Sequence, residues 1–184
     1  MSAAEVIYRA GRLSYASLRA RQRLRRVGPG ARIFGSPPLI SGDVTIGARF
    51  RCESRQFRSA ITTSVSGRVR IGAGVFVNQG VTIHSDVSIT IGDDVMIGDL
   101  VGIYDTNFHE VDEAEGVVRQ PVTIGRNVWI GRGALVLPGV TIGDHSVVAA
   151  AAVVTADLPS RSVAAGNPAR VMRQLEASDD YKRA

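Results

Sequence analysis

Residues 122–155, written in groups of six, read VTIGRN VWIGRG ALVLPG VTIGDH SVVAAA AVVT. The third residue of every group is aliphatic: Ile124, Ile130, Val136, Ile142, Val148 and Val154. The first residue is small or apolar, and a glycine often follows the third. A six-residue period is typical of a parallel β-helix, in which each hexapeptide forms one face and three faces close a triangular coil. Because one coil cannot bury its own apolar face, stacked coils build the core.

The same period extends over much of residues 31–158, which we expect to form one β-helix domain. It begins at Ile40 and Ile46, runs cleanly from Ile71, and slips by two residues between Ile89 and Ile91. Between residues 49 and 66 the pattern fades, which predicts imperfect coils or an excursion. It breaks again over residues 104–121, a polar and acidic stretch that we interpret as a loop inserted into the prism. Long loops on a regular scaffold are usually functional.

The two ends of the chain differ from the prism. Residues 1–30 hold seven arginines against Glu5 alone, and a weak apolar stripe predicts a basic amphipathic helix. Such a helix either packs on the prism with a solvated basic face or touches anionic lipid through residues 1–27. Residues 159–184 are expected to form a loop and a short helix, because Asn167-Pro168 resembles an N-cap followed by proline. From Ser178 onward the composition indicates a frayed end.

Composition excludes several classes of protein. The chain of 184 residues has 45% hydrophobic and 5% aromatic residues, which fits a core of Val, Ile and Ala. The single cysteine, Cys52, rules out an intrachain disulfide framework and favours a reducing, cytoplasmic compartment. We expect a structural thiol there rather than a nucleophile. No signal peptide and no membrane-spanning segment is predicted. Arginines without a reading motif give no support to nucleic-acid binding.

The inserted loop carries the best candidate for chemistry. His109 is a candidate general base, because an unperturbed imidazole accepts a proton near neutral pH. Asp105 or Glu110 would orient the ring and stabilise its charged form. A surface histidine in an acidic loop is more often an ordinary solvated residue, and its place in the one large excursion is what favours a function.

The combination of hexapeptide repeat, Asn107-Phe108-His109-Glu110 loop and the VAAGNPARV tail of residues 163–171 resembles the hexapeptide acyltransferase superfamily. The resemblance covers roughly residues 65–175. It is strongest to the galactoside and maltose O-acetyltransferases and to related transferases of polysaccharide synthesis. The resemblance implies a left-handed β-helix, a homotrimer with active sites between prisms, acetyl-coenzyme A as donor and a hydroxyl as acceptor, and no metal.

Residue by residue, the resemblance also implies a site. His109 matches the catalytic histidine, and we assign Asp105 to it as the catalytic partner. Acceptor-binding positions are assigned to Asn78, Asn107 and Trp129. Coenzyme-binding positions are Gly131, Ala150, Thr155, Arg170 and Arg173. Direct transfer is expected, with a backbone N–H near Gly131 steadying the oxyanion and the two arginines meeting coenzyme phosphates.

Two departures from the family pattern bear on the substrate. Ala156 stands where a basic residue often follows the threonine of the coenzyme segment, so one phosphate contact is either missing or supplied by Arg161. The arginine-rich N-terminal segment stands in place of the acceptor-binding region of the sugar acetyltransferases. This favours a large or membrane-associated saccharide, and an enzyme of cell-surface polysaccharide or glycolipid synthesis at the inner face of the membrane.

Other functions are compatible with a prism of this kind. An N-acetyltransferase acting on an amino sugar is one alternative, although the chain lacks the nucleotide-binding domain often attached to such enzymes. A zinc enzyme similar to the γ-class carbonic anhydrases is disfavoured, because His84, His109 and His145 do not have the required spacing. A non-catalytic β-helix scaffold would not need the His109 loop.

Overall fold

The structure, a computed structural model, describes residues 27–183, and within that range it is a parallel β-helix with three faces. The predicted N-terminal helix over residues 1–30 lies almost entirely outside the described residues. Short strands alternate with turns, and each strand pairs with the strand one coil before and one coil after it. The described residues contain no helix of the length and hydrophobicity that crossing a membrane requires.

The three faces are three sheets, whose strands follow in rotation along the chain. Face 1 consists of β1 (Arg32–Gly35), β4 (Arg51–Ser54), β7 (Phe76–Val77), β10 (Met96–Ile97), β13 (Trp129–Ile130), β16 (Val147–Val148), β18 (Ser162–Ala165) and β19 (Arg170–Gln174). Face 2 consists of β2 (Leu39–Ser41), β5 (Ala60–Thr63), β8 (Thr82–Ser85), β11 (Gly102–Tyr104), β14 (Leu135–Val136) and β17 (Val153–Val154). Face 3 consists of β3 (Asp43–Ile46), β6 (Arg68–Ile71), β9 (Ile89–Ile91), β12 (Val122–Ile124) and β15 (Thr141–Ile142).

The core is the inside of the prism, where the predicted aliphatic residues form vertical rows. Ile97 pairs with Val77 and Ile130 on face 1, and all three are completely buried. Equivalent rows line the other two faces. Burying each isoleucine or valine side chain contributes about 1.5–3 kcal/mol, so stacked coils supply the stability that one coil lacks. The six-residue period is therefore confirmed as the determinant of the fold.

The slip between Ile89 and Ile91 has a simple structural cause. Both side chains point inward in β9, and the extra chain length lies before it, where β8 extends to Ser85 and the turn follows at residues 86–88. Val87, which the sequence pattern places in an inward position, is only partly buried. The sequence pattern thus indicated the two-residue insertion, but it predicted Val87 to lie in a strand, whereas Val87 lies in the turn.

The expectation of irregularity in residues 49–66 is confirmed in the turns but not in the strands. The strands are in register, with β4 paired to β7 and β5 paired to β8, whereas the turns at residues 55–58 and 64–67 are longer than those of a regular coil. Phe50, Cys52 and Ser59 take inward positions and are buried. Because these three residues are not the usual Val, Ile or Ala, and because residues 55–58 add length to a turn, the period is hidden in the sequence.

The C-terminal helix was also a wrong prediction. Residues 170–174 form β19, which pairs antiparallel with β18 and so continues face 1. Gly166, with φ of 100°, lies in the turn between the two strands. Pairing with β18 supplies hydrogen-bond partners for the backbone N–H and C=O groups of this segment. The helix prediction was based on the local sequence around Asn167, which contains no information about β18.

The expected frayed end is replaced by a docked tail. Asn127 donates its side-chain amide to the carbonyl oxygen of Tyr181 at 2.7 Å, and its side-chain oxygen accepts from the backbone N–H of Arg183 at 2.9 Å. The Arg183 guanidinium donates to the carbonyl oxygen of His145 at 2.6 Å, and Lys182 pairs with Asp94. The tail is therefore attached to the turns between face 3 and face 1.

A candidate active site divided between two corners

The inserted loop of residues 104–121 leaves the prism between face 2 and face 3, a position that we call the 2–3 corner. Asp105 fixes its start. The Asp105 carboxylate is completely buried and accepts hydrogen bonds from the Ser85 hydroxyl and from the backbone N–H groups of Asp86, Val87 and Ser88, at 2.6–2.9 Å. A carboxylate with four donors is a rigid connection between the turn of one coil and the loop of the next.

The loop is closed at its neck by a second set of hydrogen bonds. Asn107 receives the backbone N–H of Val118 on its side-chain oxygen at 2.9 Å, and its own N–H donates to the Val118 carbonyl oxygen. Gln120 N–H donates to the Asp105 carbonyl oxygen at 2.9 Å. The acceptor-binding role expected for Asn107 stays a prediction, and in this structure its side chain holds the loop together.

His109 lies exposed just beyond this neck. Its backbone N–H donates to the Asn107 carbonyl oxygen at 2.8 Å. Phe108, with φ of 63°, packs its ring against His84 and Tyr104 on face 2, with ring centroids 5.3 and 5.6 Å away. This contact of Phe108 attaches the loop to the prism, and the side chain of the next residue, His109, is exposed to solvent. In the described residues the hydrogen bonds of the Asp105 carboxylate go to residues 85–88, so its pairing with His109 stays a prediction.

A polar network on face 2 and at the 2–3 corner connects the prism to the loop. His84 contacts the Thr62 hydroxyl through Nδ1 at 2.8 Å and Asp86 through Nε2 at 3.3 Å, and Arg119 donates to Asp86 at 3.1 Å. Burial alone would raise the pKa of Asp86, but hydrogen bonds from Arg119, Ser64 and His84 outweigh it and hold the pKa below its ordinary value. Asp86 is therefore an anion that connects the prism to the returning strand of the loop.

The coenzyme-side residues Gly131 and Ala150 lie together at a different edge, the 1–2 corner between face 1 and face 2. A Cβ on Gly131 would stand 2.6 Å from the backbone nitrogen of Ala150, so these turns stack in contact. The N–H of Gly131 donates to the Val148 carbonyl oxygen at 2.8 Å. Because that donor is already engaged, an oxyanion donor in this region must come from a neighbour of Gly131.

Asn78 begins a turn of the same 1–2 corner, and its side-chain oxygen accepts the N–H of Gln79 at 2.8 Å. Trp129 lies on the outside of face 1, paired with Met96 and Val147, and is 47% exposed. Both residues are accessible, but neither makes a hydrogen bond or ring contact with His109 in the part of the chain that the structure describes.

The remaining coenzyme candidates are spread over two edges. Arg170 and Arg173 are exposed on β19, where Arg170 pairs with Ala165 at the 1–2 end of face 1. Thr155 is exposed at the 2–3 corner. Eight of the ten predicted site residues therefore form two groups within one chain: Asp105, Asn107, His109 and Thr155 at the 2–3 corner, and Asn78, Gly131, Ala150 and Arg170 at the 1–2 corner. Trp129 and Arg173 lie on face 1 between the corners of that face.

Cys52 and the other histidines belong to the scaffold. Cys52 is buried in the core, and burial raises the pKa of its thiol, as expected for a structural residue. His145 is buried in a turn, whereas His84 lies on the outside of β8 rather than at a corner. Among residues 27–183 no group of three or more His, Cys, Asp or Glu side chains is arranged to hold a metal ion.

The network of Thr62, His84, Asp86 and Arg119 and the anchoring role of Phe108 were not predicted from the sequence. Thr62 and His84 meet because parallel strands stack in register, and Arg119 reaches Asp86 because the inserted loop returns to the prism at the same corner. The two-residue slip at residues 85–88 was the available signal, because it marked an extra turn at the corner from which the large loop leaves.

Comparison with known proteins shows which family and which solved structures this chain resembles. Residues 121–156 match the family described as bacterial transferase hexapeptide (six repeats). The structure resembles a hexapeptide-repeat-containing acetyltransferase of Vibrio cholerae O1 biovar eltor, solved in complex with acetyl coenzyme A. It is 30% identical, the match covers 88% of this chain and 79% of that chain, and the TM-score is 0.58. A maltose O-acetyltransferase of Clostridium difficile 630 gives 30% identity, 90% and 80% coverage and a TM-score of 0.58.

Among curated proteins, the galactoside O-acetyltransferase of Escherichia coli strain K12 is 47% identical over 73 residues, which are 40% of this chain and 36% of that protein. The matches span less than two thirds of the length of the curated relatives. The fold is a left-handed parallel β-helix of hexapeptide repeats, as predicted. The chain belongs to the hexapeptide-repeat acetyltransferase family.

Proposed function

We propose that the protein is an acetyl-coenzyme A-dependent O-acetyltransferase that transfers acetyl to a saccharide hydroxyl. The observation that carries this proposal is the exposed His109, held outside the prism by a loop whose start and neck are both fixed. The acetyl coenzyme A complex of the Vibrio cholerae relative supports the choice of donor, and the maltose and galactoside O-acetyltransferases support the choice of acceptor.

In the proposed mechanism His109 accepts the proton of the acceptor hydroxyl while its oxygen attacks the thioester carbonyl. The bond between the carbonyl carbon and the sulfur then breaks, protonated His109 gives its proton to the sulfur so that the coenzyme leaves as a thiol, and no acyl-enzyme forms. Asp105 acts through the loop, since it fixes the segment on which His109 stands. A tethered base contributes about 10²–10⁴-fold to such a reaction, and holding both substrates in one groove adds proximity.

We further propose that the active site is assembled between copies of the chain, as a homotrimer. Face 2 separates the two corners that carry the predicted residues, so one chain does not bring His109 to Asn78, Gly131 and Ala150. Placing the 2–3 corner of one copy against the 1–2 corner of the next would unite the two groups. In this arrangement Arg170 and Arg173 are available for the phosphates of the coenzyme.

The cellular setting follows from chemistry and charge. We propose a cytoplasmic enzyme of cell-surface polysaccharide or glycolipid synthesis, because acetyl-coenzyme A is a cytoplasmic donor. The arginines of residues 1–27 would hold it at the anionic inner face of the membrane. Flotation with anionic vesicles at low salt tests this setting, and protein that stays at the bottom of the gradient would contradict it.

The test of the activity is acetyl-coenzyme A binding together with thioester cleavage in His109→Ala. We expect binding to persist and turnover to fall about 10²–10⁴-fold, measured by release of free thiol. Glu113→Ala, an exposed residue of the same loop, is the matched control and should keep wild-type rates. Equal turnover in wild type and His109→Ala would remove His109 from the mechanism, and absence of coenzyme binding would contradict the transferase itself.

A further inference from the structure

Residues 55–58 form the longest turn at the 1–2 corner within residues 27–183. Six residues separate Cys52 from Ser59, whereas three separate the equivalent residues Val77 and Val81 in the next coil. The three additional residues fall within the turn Arg55-Gln56-Phe57-Arg58. The additional residues hide the hexapeptide period in this segment. They do not contribute to the core, and none of them was predicted to be catalytic.

The 55–58 turn is held firmly in place. Arg58 donates through Nε to the Pro37 carbonyl oxygen at 2.8 Å. On its other side, the Phe57 carbonyl oxygen accepts the N–H of Gly80 at 3.1 Å, and the N–H of Gln56 donates to the side chain of Gln79 at 3.1 Å. The turn is thus attached to the coils before and after it, and its side chains are presented in a fixed arrangement.

Asn78 lies directly beside this turn. The Ser59 hydroxyl, at the end of the turn, donates to the Asn78 carbonyl oxygen at 2.9 Å. Gly80 packs between Phe57 and Leu100, because a Cβ there would stand 3.2 Å from the Phe57 Cβ and 2.6 Å from a Leu100 methyl. The inserted turn is therefore joined to the backbone of Asn78 and Gly80, so it adjoins the turn that carries the predicted acceptor residue.

The exposed side chains of the turn combine an aromatic ring with positive charge. Phe57 is 53% exposed, the Arg55 side chain is 68% exposed and lies 4.0 Å from the Glu53 carboxylate, and Arg58 is exposed. Residues 49–58 contain four arginines against Glu53 alone. An aromatic face beside guanidinium groups suits a ring that carries an anion, since arginine binds carboxylate and phosphate bidentately.

We propose that the 55–58 turn binds the anionic group of the acceptor, and that the acceptor is a saccharide carrying a carboxylate or a phosphate. This inference rests on the proposed function, because it takes Asn78 as an acceptor-binding residue. Phe57 contacts the sugar ring and Arg55 and Arg58 bind the anion. An anionic membrane surface is the competing ligand, but a single exposed phenylalanine offers little apolar area for insertion, and the contact with Asn78 favours the saccharide.

The experiment compares D-glucose, D-glucuronic acid and glucose 1-phosphate as acceptors for the full-length protein. We expect kcat/KM to be at least about tenfold higher for one or both anionic sugars than for glucose. In the double variant Arg55→Gln/Arg58→Gln, kcat/KM for the anionic sugars should fall about 10–100-fold. The rate with glucose and the binding of acetyl-coenzyme A should not change. Arg68→Gln, on face 3, is the control for loss of charge elsewhere.

Direct binding of the same sugars, followed by saturation-transfer NMR without coenzyme, separates this inference from the proposed function. Binding of an anionic sugar that is lost in the double variant supports the turn, even if acetyl-coenzyme A does not bind and the transferase proposal fails. Coenzyme binding with no preference for anionic sugars, or equal losses for all three sugars, would overturn it. So would a double variant that stops binding anionic vesicles while sugar binding is unchanged.

Discussion

Two corners of the same prism differ in how strictly they are built. At the 3–1 corner, between face 3 and face 1, every described turn has the same length. One residue of each turn has positive φ: Gly30, Arg49, Gly74, Asp94, Asn127, His145 and Arg161. At the 2–3 corner the turns vary, with additional residues at 64–67, 85–88 and 105–120. The 3–1 corner is a uniform structural seam, and the 2–3 corner is where the chain carries variable polar groups.

The contrast between the two corners indicates where this fold can carry functional side chains. A corner lies outside the core, so an added turn leaves the inward rows of valine and isoleucine in register. The added residues are then free to build hydrogen bonds of their own, as Asp105 and Asp86 do. We therefore expect changes at the 2–3 corner to alter activity as well as stability, and changes at the 3–1 corner to alter stability alone.

Among substitutions at the two corners, we expect Asp105→Ala to cause the largest loss of stability and activity. It removes a buried carboxylate and leaves four donors on residues 85–88 without their acceptor, which should cost about 3–5 kcal/mol of unfolding free energy. Activity should fall further than the folded fraction does, because the His109 loop loses its anchor. Urea denaturation and thiol release measure the two quantities. Wild-type stability in the variant would contradict the structural role assigned to Asp105.

A smaller, purely structural effect is expected at the 3–1 corner for Asn127→Ala. Asn127 has φ of 52° and holds Tyr181 and Arg183 of the tail. Alanine lacks these hydrogen bonds and tolerates positive φ less well than asparagine, so the free energy of unfolding should fall by about 2 kcal/mol. Asn127→Gly should recover part of that loss, since glycine adopts positive φ without strain. Turnover per folded molecule should be unchanged in both variants, and a specific loss of turnover would break the distinction between the corners.

The smallest effect is a pH dependence at the same corner. Burial lowers the pKa of His145, and the charges of Arg126 and Arg161 lower it further, against the opposite influence of Asp144 and Asp179. The folded pKa is thus below the unfolded value of about 6.5. Above that pH both states are neutral, and as the pH falls below it the unfolded state takes up the proton first, so stability decreases.

His145→Asn, which tolerates the same backbone conformation, should flatten this part of the stability curve. Urea denaturation at pH 5, 6, 7 and 8 measures the slope in both proteins. A wild-type curve that rises as the pH falls, or identical slopes in the two proteins, would contradict the buried neutral histidine.

The sequence was sufficient for the prism and for the site of its main insertion, because inward residues repeat locally every six positions. Prediction failed where structure depends on distant partners. Cys52 and Ser59 fill inward positions only in the context of the stacked coils, and residues 170–174 became a strand because β18 was available beside them. The four donors of Asp105 and the contact of Phe108 with His84 depend on strand register, which the period alone does not reveal.

The most direct test of the central claim, that the active site joins the 2–3 corner of one copy to the 1–2 corner of another, is complementation between two inactive variants. His109→Ala removes the base at one corner, and Ala150→Trp should block the coenzyme at the other. Each variant alone should be inactive in acetyl-coenzyme A cleavage, whereas the two unfolded and refolded together should regain activity. Inactive mixtures, in oligomers shown to contain both variants, would mean that the two corners do not meet between copies.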